Sequence, residues 1–298
     1  MRDNIKLFQK DNKFYFQYLT NKLYVVDNFP TYQQVLNNIS KIEYYKHFLK
    51  YKKIARPYLK DKNDNYIINK NGYKISSEEN KYLKNAHFYP MVLVFSMMIN
   101  KNLLNKKELF IPNYEEFCEK FIQITCEKIN DKLKFKKGFS DIENITFSIE
   151  ELKYRLGYAY PSFIREFVAK VYWTENSTYF KNKYNLNDFH IGYNLYEDFG
   201  KAAIDVDIII NNNKYGICIY NDTDKGKTFK EIKDTERHKI DDKNRVYLGS
   251  QIIQRYNYKT ERKISNITEK IGDMYIPKKE NLTIFLCKVI EDVLKEKK

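Results

Sequence analysis

Glycine, proline and arginine are all scarce in this chain of 298 residues, which holds 9 Gly, 6 Pro and 8 Arg. The glycines stand singly, so no G-x-x-x-x-G-K-[ST] or G-x-G-x-x-G loop is present to cradle a phosphate, against a P-loop or dinucleotide-binding protein. There is no H-E-x-x-H helix and no Ser-His-Asp elbow, against a zinc protease or an esterase. The 4 cysteines, Cys118, Cys126, Cys218 and Cys287, never approach C-x-x-C spacing, and the 4 histidines, His47, His87, His190 and His238, are equally dispersed. That pattern excludes a zinc ribbon or a disulfide framework and predicts free buried thiols. Long hydrophobic runs are missing too. The longest, YPMVLVFSMMI at 89–99, is short of the roughly 20 residues that a spanning helix needs, and it predicts a buried helix. The opening MRDNIKLFQKDNK is charged and has no apolar leader segment; a cytoplasmic protein away from membranes is the expectation.

What is abundant is lysine, asparagine, isoleucine and tyrosine. With 27 Tyr, 20 Phe and 43% hydrophobic residues the chain has the means to build cores and does not read as disordered. Its formal net charge is +14 and its isoelectric point about 9.2, a balance that suits a polyanionic partner, most simply nucleic acid, with DNA the expected form. An AT-rich codon bias would also raise lysine. Arginine, the better phosphate fork, is therefore the more telling residue. Six of the 8 lie after residue 150: Arg155, Arg165, Arg237, Arg245, Arg255 and Arg262.

Element signals divide the chain. KFYFQYLTNKLYVV (13–26) reads as one or two strands, and Pro30 precedes helix-compatible residues. KDKNDNYIINKNGYKISSEENK (60–81) reads as an exposed loop or weak hairpin. Asn113 is a plausible N-cap for a helix whose apolar stripe is Phe117, Phe121, Ile124 and Ile129. Residues 1–145 are thus expected to form a mainly helical, basic region, with KFKKGFSDIENITF (134–147) as the linker. Residues 146–298 are expected to form an α/β domain with a central mixed sheet. Its first helix opens with Ser148 and Glu151 in capping-box spacing, and Pro161 opens a second helix over 162–173. No internal repeat is apparent.

One hairpin draws attention. AIDVDIIINNNKYGICIYND (202–221) carries Asp205 and Asp207 in its first strand, although Asp is depleted from strands. With Asn211–Lys214 as a four-residue turn, Val206, Ile208, Ile210, Tyr215, Ile217 and Ile219 form one apolar face. Asp205 and Asp207 then project from the other. Two neighbouring carboxylates can hold Mg²⁺, an oxygen-seeking ion that commonly keeps waters and a phosphate in its shell. The plain alternative is two solvated aspartates on the outer face of an amphipathic strand.

With a preceding helix that carries Glu166, this arrangement resembles the PD-(D/E)XK superfamily of restriction-endonuclease-like nucleases over roughly 150–250. In that family a helix with an acidic residue leads into a strand meander. An Asp sits near the start of one strand and Glu-x-Lys on the next, and a helix follows. The resemblance implies a Mg²⁺-dependent DNA endonuclease of a restriction, defence or mobile-element system, with Asp205 and Asp207 as metal ligands. Glu166 would help hold a water and Lys227 would stabilise the phosphoryl transition state. The chain departs from the pattern where Cys218 and Tyr220 stand in the Glu-x-Lys places. That departure leaves a second expectation, an inactive nuclease-like fold that binds DNA or RNA or serves as a protein-interaction subunit.

After the hairpin, Lys227, Lys230, Lys233 and Arg237 recur along one side of an expected helix, with Lys225 and His238 at its ends. Together with Arg165 they are the candidate phosphate contacts; a solvated, ion-paired helix face is the plainer reading. YYKHFLKYKK (44–53) interleaves aromatic and basic residues, but Tyr44, Phe48 and Tyr51 have the spacing of a core stripe. A homodimer or a protein partner is compatible with all of this.

Overall fold

A computed structural model of the chain describes residues 6–10, 13–17, 23–26, 29–55, 58–78, 81, 83, 88–105, 108–139, 145–192, 206–219, 245–248 and 268–295. The elements among them are β1 (Lys6–Lys10), β2 (Lys13–Gln17), β3 (Leu23–Val26), α1 (Tyr32–Ile39), α2 (Tyr45–Ile54), α3 (Phe88–Leu104), α4 (Tyr114–Thr125), β4 (Cys126–Ile129), β5 (Lys132–Phe135) and β6 (Thr146–Phe147). They continue as α5 (Ile149–Glu175), α6 (Ser177–Lys183), β7 (Phe189–Gly192), β8 (Val206–Ile210), β9 (Asn213–Ile219), β10 (Arg245–Leu248), β11 (Thr268–Ile271), β12 (Met274–Pro277) and α7 (Lys279–Lys295). Helices and small sheets mix, as expected for α/β.

The chain forms two compact units that do not follow the expected boundary at 145/146. One comprises 1–41, 100–110 and 164–298, the other 42–99 and 111–163. Two of the four divisions fall inside α3 and α5, and the other two lie between helices.

In the first unit the largest sheet is mixed, in the order β10-β9-β8-β7. β7, β8 and β9 form an antiparallel meander, and β10 lies parallel to β9. Phe189, Ile191, Ile208 and Ile210 are buried, so the apolar face read from the hairpin faces a core. α7 adds Leu282, Phe285, Leu286, Val289, Ile290 and Val293 as its buried stripe. The one tryptophan, Trp173, is fully buried, stacks on Phe285 at 5.7 Å and donates Nε1–H to the Leu282 carbonyl at 3.0 Å. α1 begins with a complete capping box: Thr31 Oγ1 accepts from Gln34 N, and Gln34 Oε1 accepts from Thr31 N. β11 and β12 are joined at Gly272, whose φ is +55°; a Cβ there would sit 3.1 Å from the Ser40 backbone.

The second unit is built on aromatic rings. Tyr44, Phe48, Tyr51, Phe95, Tyr114, Phe117, Phe121, Tyr154, Tyr160 and Phe163 are all buried, so the spaced aromatics of 44–51 are core residues. Tyr44 stacks on Phe48 at 5.5 Å and on Tyr160 at 5.6 Å. A three-stranded sheet, order β4-β5-β6, brings Phe135 to 4.9 Å from Phe147. Asn113 is the N-cap of α4, but its side chain makes no capping hydrogen bond, and the helix stops at Thr125, so Ile129, expected on its apolar stripe, lies in β4 instead.

Two expectations are corrected here. Pro161 does not open a new helix, because α5 runs unbroken for 27 residues with Pro161 inside it. The segment 58–76 contains an internal repeat of eight residues. Ile67 N donates to Leu59 O at 3.0 Å, Ile75 N to Ile67 O at 2.9 Å, and Leu59 N to Ile75 O at 2.9 Å, which closes a ring of three. Asp61 Oδ1 accepts from the N–H groups of Asn63 and Asn65, and Asn69 Oδ1 accepts from those of Asn71 and Tyr73. Asp64 and Gly72, eight apart, both take positive φ, 64° and 77°. Tyr58/Tyr66, Lys62/Lys70 and Asn63/Asn71 are identical across the repeat, but its signal is turn chemistry, and a periodicity search for apolar positions passes over it.

Candidate metal and nucleic-acid site

The hairpin that carries Asp207 is tighter than its sequence suggests. Ile210 pairs with Asn213, Ile209 with Lys214, Ile208 with Tyr215, Asp207 with Gly216 and Val206 with Ile217. The turn is the two residues Asn211 and Asn212, with φ of 49° and 63°. Positive φ at both central positions is the type I′ geometry that matches strand twist, and asparagine tolerates it. Asn211 also ties the turn to β7: its Oδ1 accepts from Asn187 N at 2.8 Å, and its N–H donates to Asp188 O at 2.8 Å. The expected four-residue turn differs from the observed pairing by two residues. Because side chains alternate with a period of two, that shift leaves the apolar and polar faces as read.

Asp207 pairs with Gly192 of β7 on one side and Gly216 of β9 on the other, and Gly216 pairs in turn with Arg245 of β10. Directly paired residues share a sheet face. The register row is therefore Gly192, Asp207, Gly216, Arg245: a carboxylate flanked by two residues without side chains, with a guanidinium position beyond. The sequence reading did not select Arg245. Its strand was visible in NRVYLG, but its parallel pairing depends on a crossover that sequence does not reveal.

The other expected residues are placed as follows. Glu166 is half-buried on α5. Arg165, beside it, is only 4% exposed, so the structure withdraws it from the surface where a phosphate contact was expected. Asp205, Lys225, Lys227, Lys230, Lys233, Arg237, His238 and Tyr220 lie outside the described residues. Among the described residues no group of three or more His, Cys, Asp or Glu side chains is placed to hold a metal ion. Cys118, Cys126 and Cys287 are free and buried, as expected. No helix among the described residues is long and apolar enough to cross a membrane.

The second unit holds a titratable cluster that sequence reasoning missed. Glu115 of α4 takes Lys153 Nζ of α5 on Oε2 at 2.8 Å and the Tyr51 hydroxyl of α2 on the same oxygen at 3.0 Å. His47 Nδ1 of α2 lies 2.9 Å from Oε1. Burial alone would push the Glu115 carboxyl up, but Lys153 and Tyr51 outweigh it and hold the carboxyl below its ordinary value. Burial would likewise pull Lys153 down, and Glu115 and Tyr51 hold it above its ordinary value instead. Lys153 and Tyr51 also bond each other at 3.0 Å. The network ties three helices together through groups that satisfy one another. The spacing of His47 and Tyr51, one helical turn apart, was the only signal of it available in sequence.

Comparison of the chain with protein-family models, with curated proteins and with solved structures finds no match in any of the three. The class of protein is thus set by its own architecture, a mixed α/β chain of two compact units with a mixed four-stranded sheet in the first.

Proposed function

We propose that the chain is a nucleic-acid-binding protein of nuclease-like architecture, built for metal-dependent hydrolysis of phosphodiester bonds in DNA. The observation that carries this reading is the register row around Asp207. An acidic position in a strand, cleared on both sides by Gly192 and Gly216, has Arg245 two strands away. An acidic and a guanidinium position in one register row, with only glycine between them, suit a scissile phosphate and a hard cation. The order of elements supports the same reading. A long helix carrying Glu166 leads into an antiparallel meander, and a fourth strand returns parallel to the third.

Asp205 and Asp207 are the residues that would hold Mg²⁺. Two aspartates two residues apart in the sequence are a donor set of the right hardness and charge. The ion, when bound, supplies polarisation of the phosphoryl group and a more acidic water. The chain's own residues orient the substrate: Arg245 meets the phosphate as a bidentate fork, and the basic segment 225–238 adds charge along the backbone. A restriction, defence or mobile-element role suits such an enzyme.

Cys218 and Tyr220 favour a second reading, a binding protein on a nuclease-like fold without cleavage. One experiment separates them. Plasmid and single-stranded substrates are incubated with the protein in Mg²⁺, Mn²⁺ or EDTA, beside Asp205→Asn and Asp207→Asn. Metal-dependent cutting lost in both variants supports the hydrolase. Salt-sensitive binding with no cutting supports the second reading, and neither cutting nor binding overturns both.

A further inference from the structure

The repeat at 58–76 turns its apolar side chains outward. Leu59 is 43% exposed, Tyr66 43%, Ile67 39%, Ile68 57% and Tyr73 70%. Most exposed apolar residues are scattered singly and need no explanation, but a contiguous group rimmed by polar residues marks an interaction surface. Here the point is sharper, because the segment is ordered without most of those side chains. The ring of three backbone hydrogen bonds and the two Asx turns hold it. Tyr66 meets Tyr58 and Lys74 within the segment, while the more exposed Ile68 and Tyr73 are not needed to order it.

Charge decides what they meet. The segment carries Lys60, Lys62, Lys70 and Lys74 against Asp61 and Asp64. Both aspartates are engaged locally. Asp61 accepts two backbone N–H groups, which hold its carboxyl below the ordinary value, and Asp64 binds Lys60 at 2.8 Å. Lys74 lies 3.5 Å from the centre of the Tyr66 ring, and Lys62 and Lys70 are exposed. A second element of the same unit carries a similar pairing of ring and cation. Arg155 lies 5.7 Å from the ring of Tyr158, itself 44% exposed, and its Nε is buried with no hydrogen-bond partner. Exposed rings interleaved with cations, on a rigid support, are the chemistry of a platform for unpaired bases.

We propose that the 58–76 repeat docks single-stranded nucleic acid, with Arg155 of the same unit as a further phosphate contact. Tyr73 stacks on a base, and Lys62, Lys70 and Arg155 take phosphates. The inference rests on the nucleic-acid reading above for its ligand, but not on cleavage. It gives the second unit the task of holding unpaired substrate.

The test is fluorescence anisotropy of the full chain with a labelled single-stranded DNA oligonucleotide of mixed sequence and with its duplex, across a range of salt. The wild type is expected to favour the single strand, and Tyr73→Ala to weaken that binding about tenfold, the usual cost of one lost stacking contact. The double variant Lys62→Gln, Lys70→Gln is expected to lower the slope of log affinity against log salt by about 1.4, two single-strand phosphate contacts. A merely structural role would not change that slope. Far-UV circular dichroism of each variant checks that it folds. If the wild type binds the oligonucleotide and these variants bind it equally well with the same slope, the platform is overturned while the nucleic-acid reading stands. If the wild type binds no oligonucleotide, both fall. A concentration-dependent dimer in light scattering that Tyr73→Ala abolishes would then assign the surface to a second copy of the chain.

Discussion

The Tyr44 hydroxyl donates to the main-chain carbonyl of Gly157 at 2.7 Å, deep in the aromatic core of the second unit. That carbonyl lies four residues before Pro161, which has no N–H to offer it. An interior proline normally breaks a helix or leaves such a carbonyl orphaned, at a cost of about 3 kcal/mol. Here a side chain from outside the helix takes the place of the missing N–H, and α5 continues through the proline. One turn earlier the Tyr114 hydroxyl donates to the Lys153 carbonyl, whose helical partner, Gly157, keeps its N–H, so only the Tyr44 bond replaces a missing donor.

Tyr44→Phe should therefore destabilise the protein by about 1–3 kcal/mol, the usual cost of a buried carbonyl left unpaired. In a Pro161→Ala background residue 161 regains an N–H for the Gly157 carbonyl, and the same substitution should cost much less. Urea unfolding of the four proteins of this cycle, followed by circular dichroism, measures the coupling. Equal costs in both backgrounds would show that the hydroxyl does not stand in for the proline.

Gly157→Ala is the second prediction. Alanine is the better helix former by about 1 kcal/mol, so on propensity alone the variant gains. Space reverses the sign. A Cβ on Gly157 would lie 2.5 Å from Phe48 Cδ2 and 2.8 Å from the Tyr114 hydroxyl oxygen. The ring of Phe48 is held in place by its stack on Tyr44 and by Tyr154 at 5.7 Å. We expect a net loss of about 1–3 kcal/mol, the range for overpacking a core. A melting temperature raised above that of the wild type would show that Phe48 moves aside freely.

These two residues also show where sequence reading stops. Local signals carried far: the Ser148 cap, whose Oγ accepts from Glu151 N, the apolar face of Ile208 and Ile210, and the core stripe of Tyr44, Phe48 and Tyr51 are all as read. Each depends on neighbours within a turn or a strand. Pro161 was read as a helix start because its rescue by Tyr44 comes from far along the chain. The Asn211–Asn212 turn was given two residues too many because several asparagines in a row leave the register open to propensity alone. Of the candidate site, Asp207 stood out as an acidic residue in a strand. Its flanking by Gly192 and Gly216 needed the pairing of three strands.

The Glu115 network should be visible in the pH dependence of stability. A carboxyl held below its ordinary value contributes stability that is present above the unfolded value, about 4.3, and is lost as pH falls through the lower folded one. Lys153, held above its ordinary value, contributes in full below about 10.4 and loses that contribution only as pH rises through its higher folded value. Between these limits the pair is intact. Glu115→Gln should cost about 1–3 kcal/mol near neutral pH, the range for hydrogen bonds to a charged group. The difference from the wild type should shrink toward zero in acid, where the wild-type carboxyl is itself protonated. Urea titrations from pH 2 to 8 on both proteins test this, and a gap that stays constant through the acid range would mean that Glu115 is not held as an anion.

The last prediction concerns the row around Asp207. Gly216 weakens its strand, since glycine lacks a side chain to pack and loses the most backbone freedom on folding. Gly216→Val should raise stability by about 0.5–1 kcal/mol, because a branched residue suits a central strand. Trp173, the only tryptophan of the chain and buried in the same unit, gives the fluorescence signal for that measurement. The valine also enters the register row between Asp207 and Arg245, where the proposed function needs room for a phosphate. Metal-dependent cutting should then fall while oligonucleotide binding, which draws on the second unit and the basic segment, persists. A glycine kept only by chance would let the variant cut as the wild type does. A glycine that clears the site costs the strand stability and returns it as access to Asp207, and only then do the two measurements move in opposite directions.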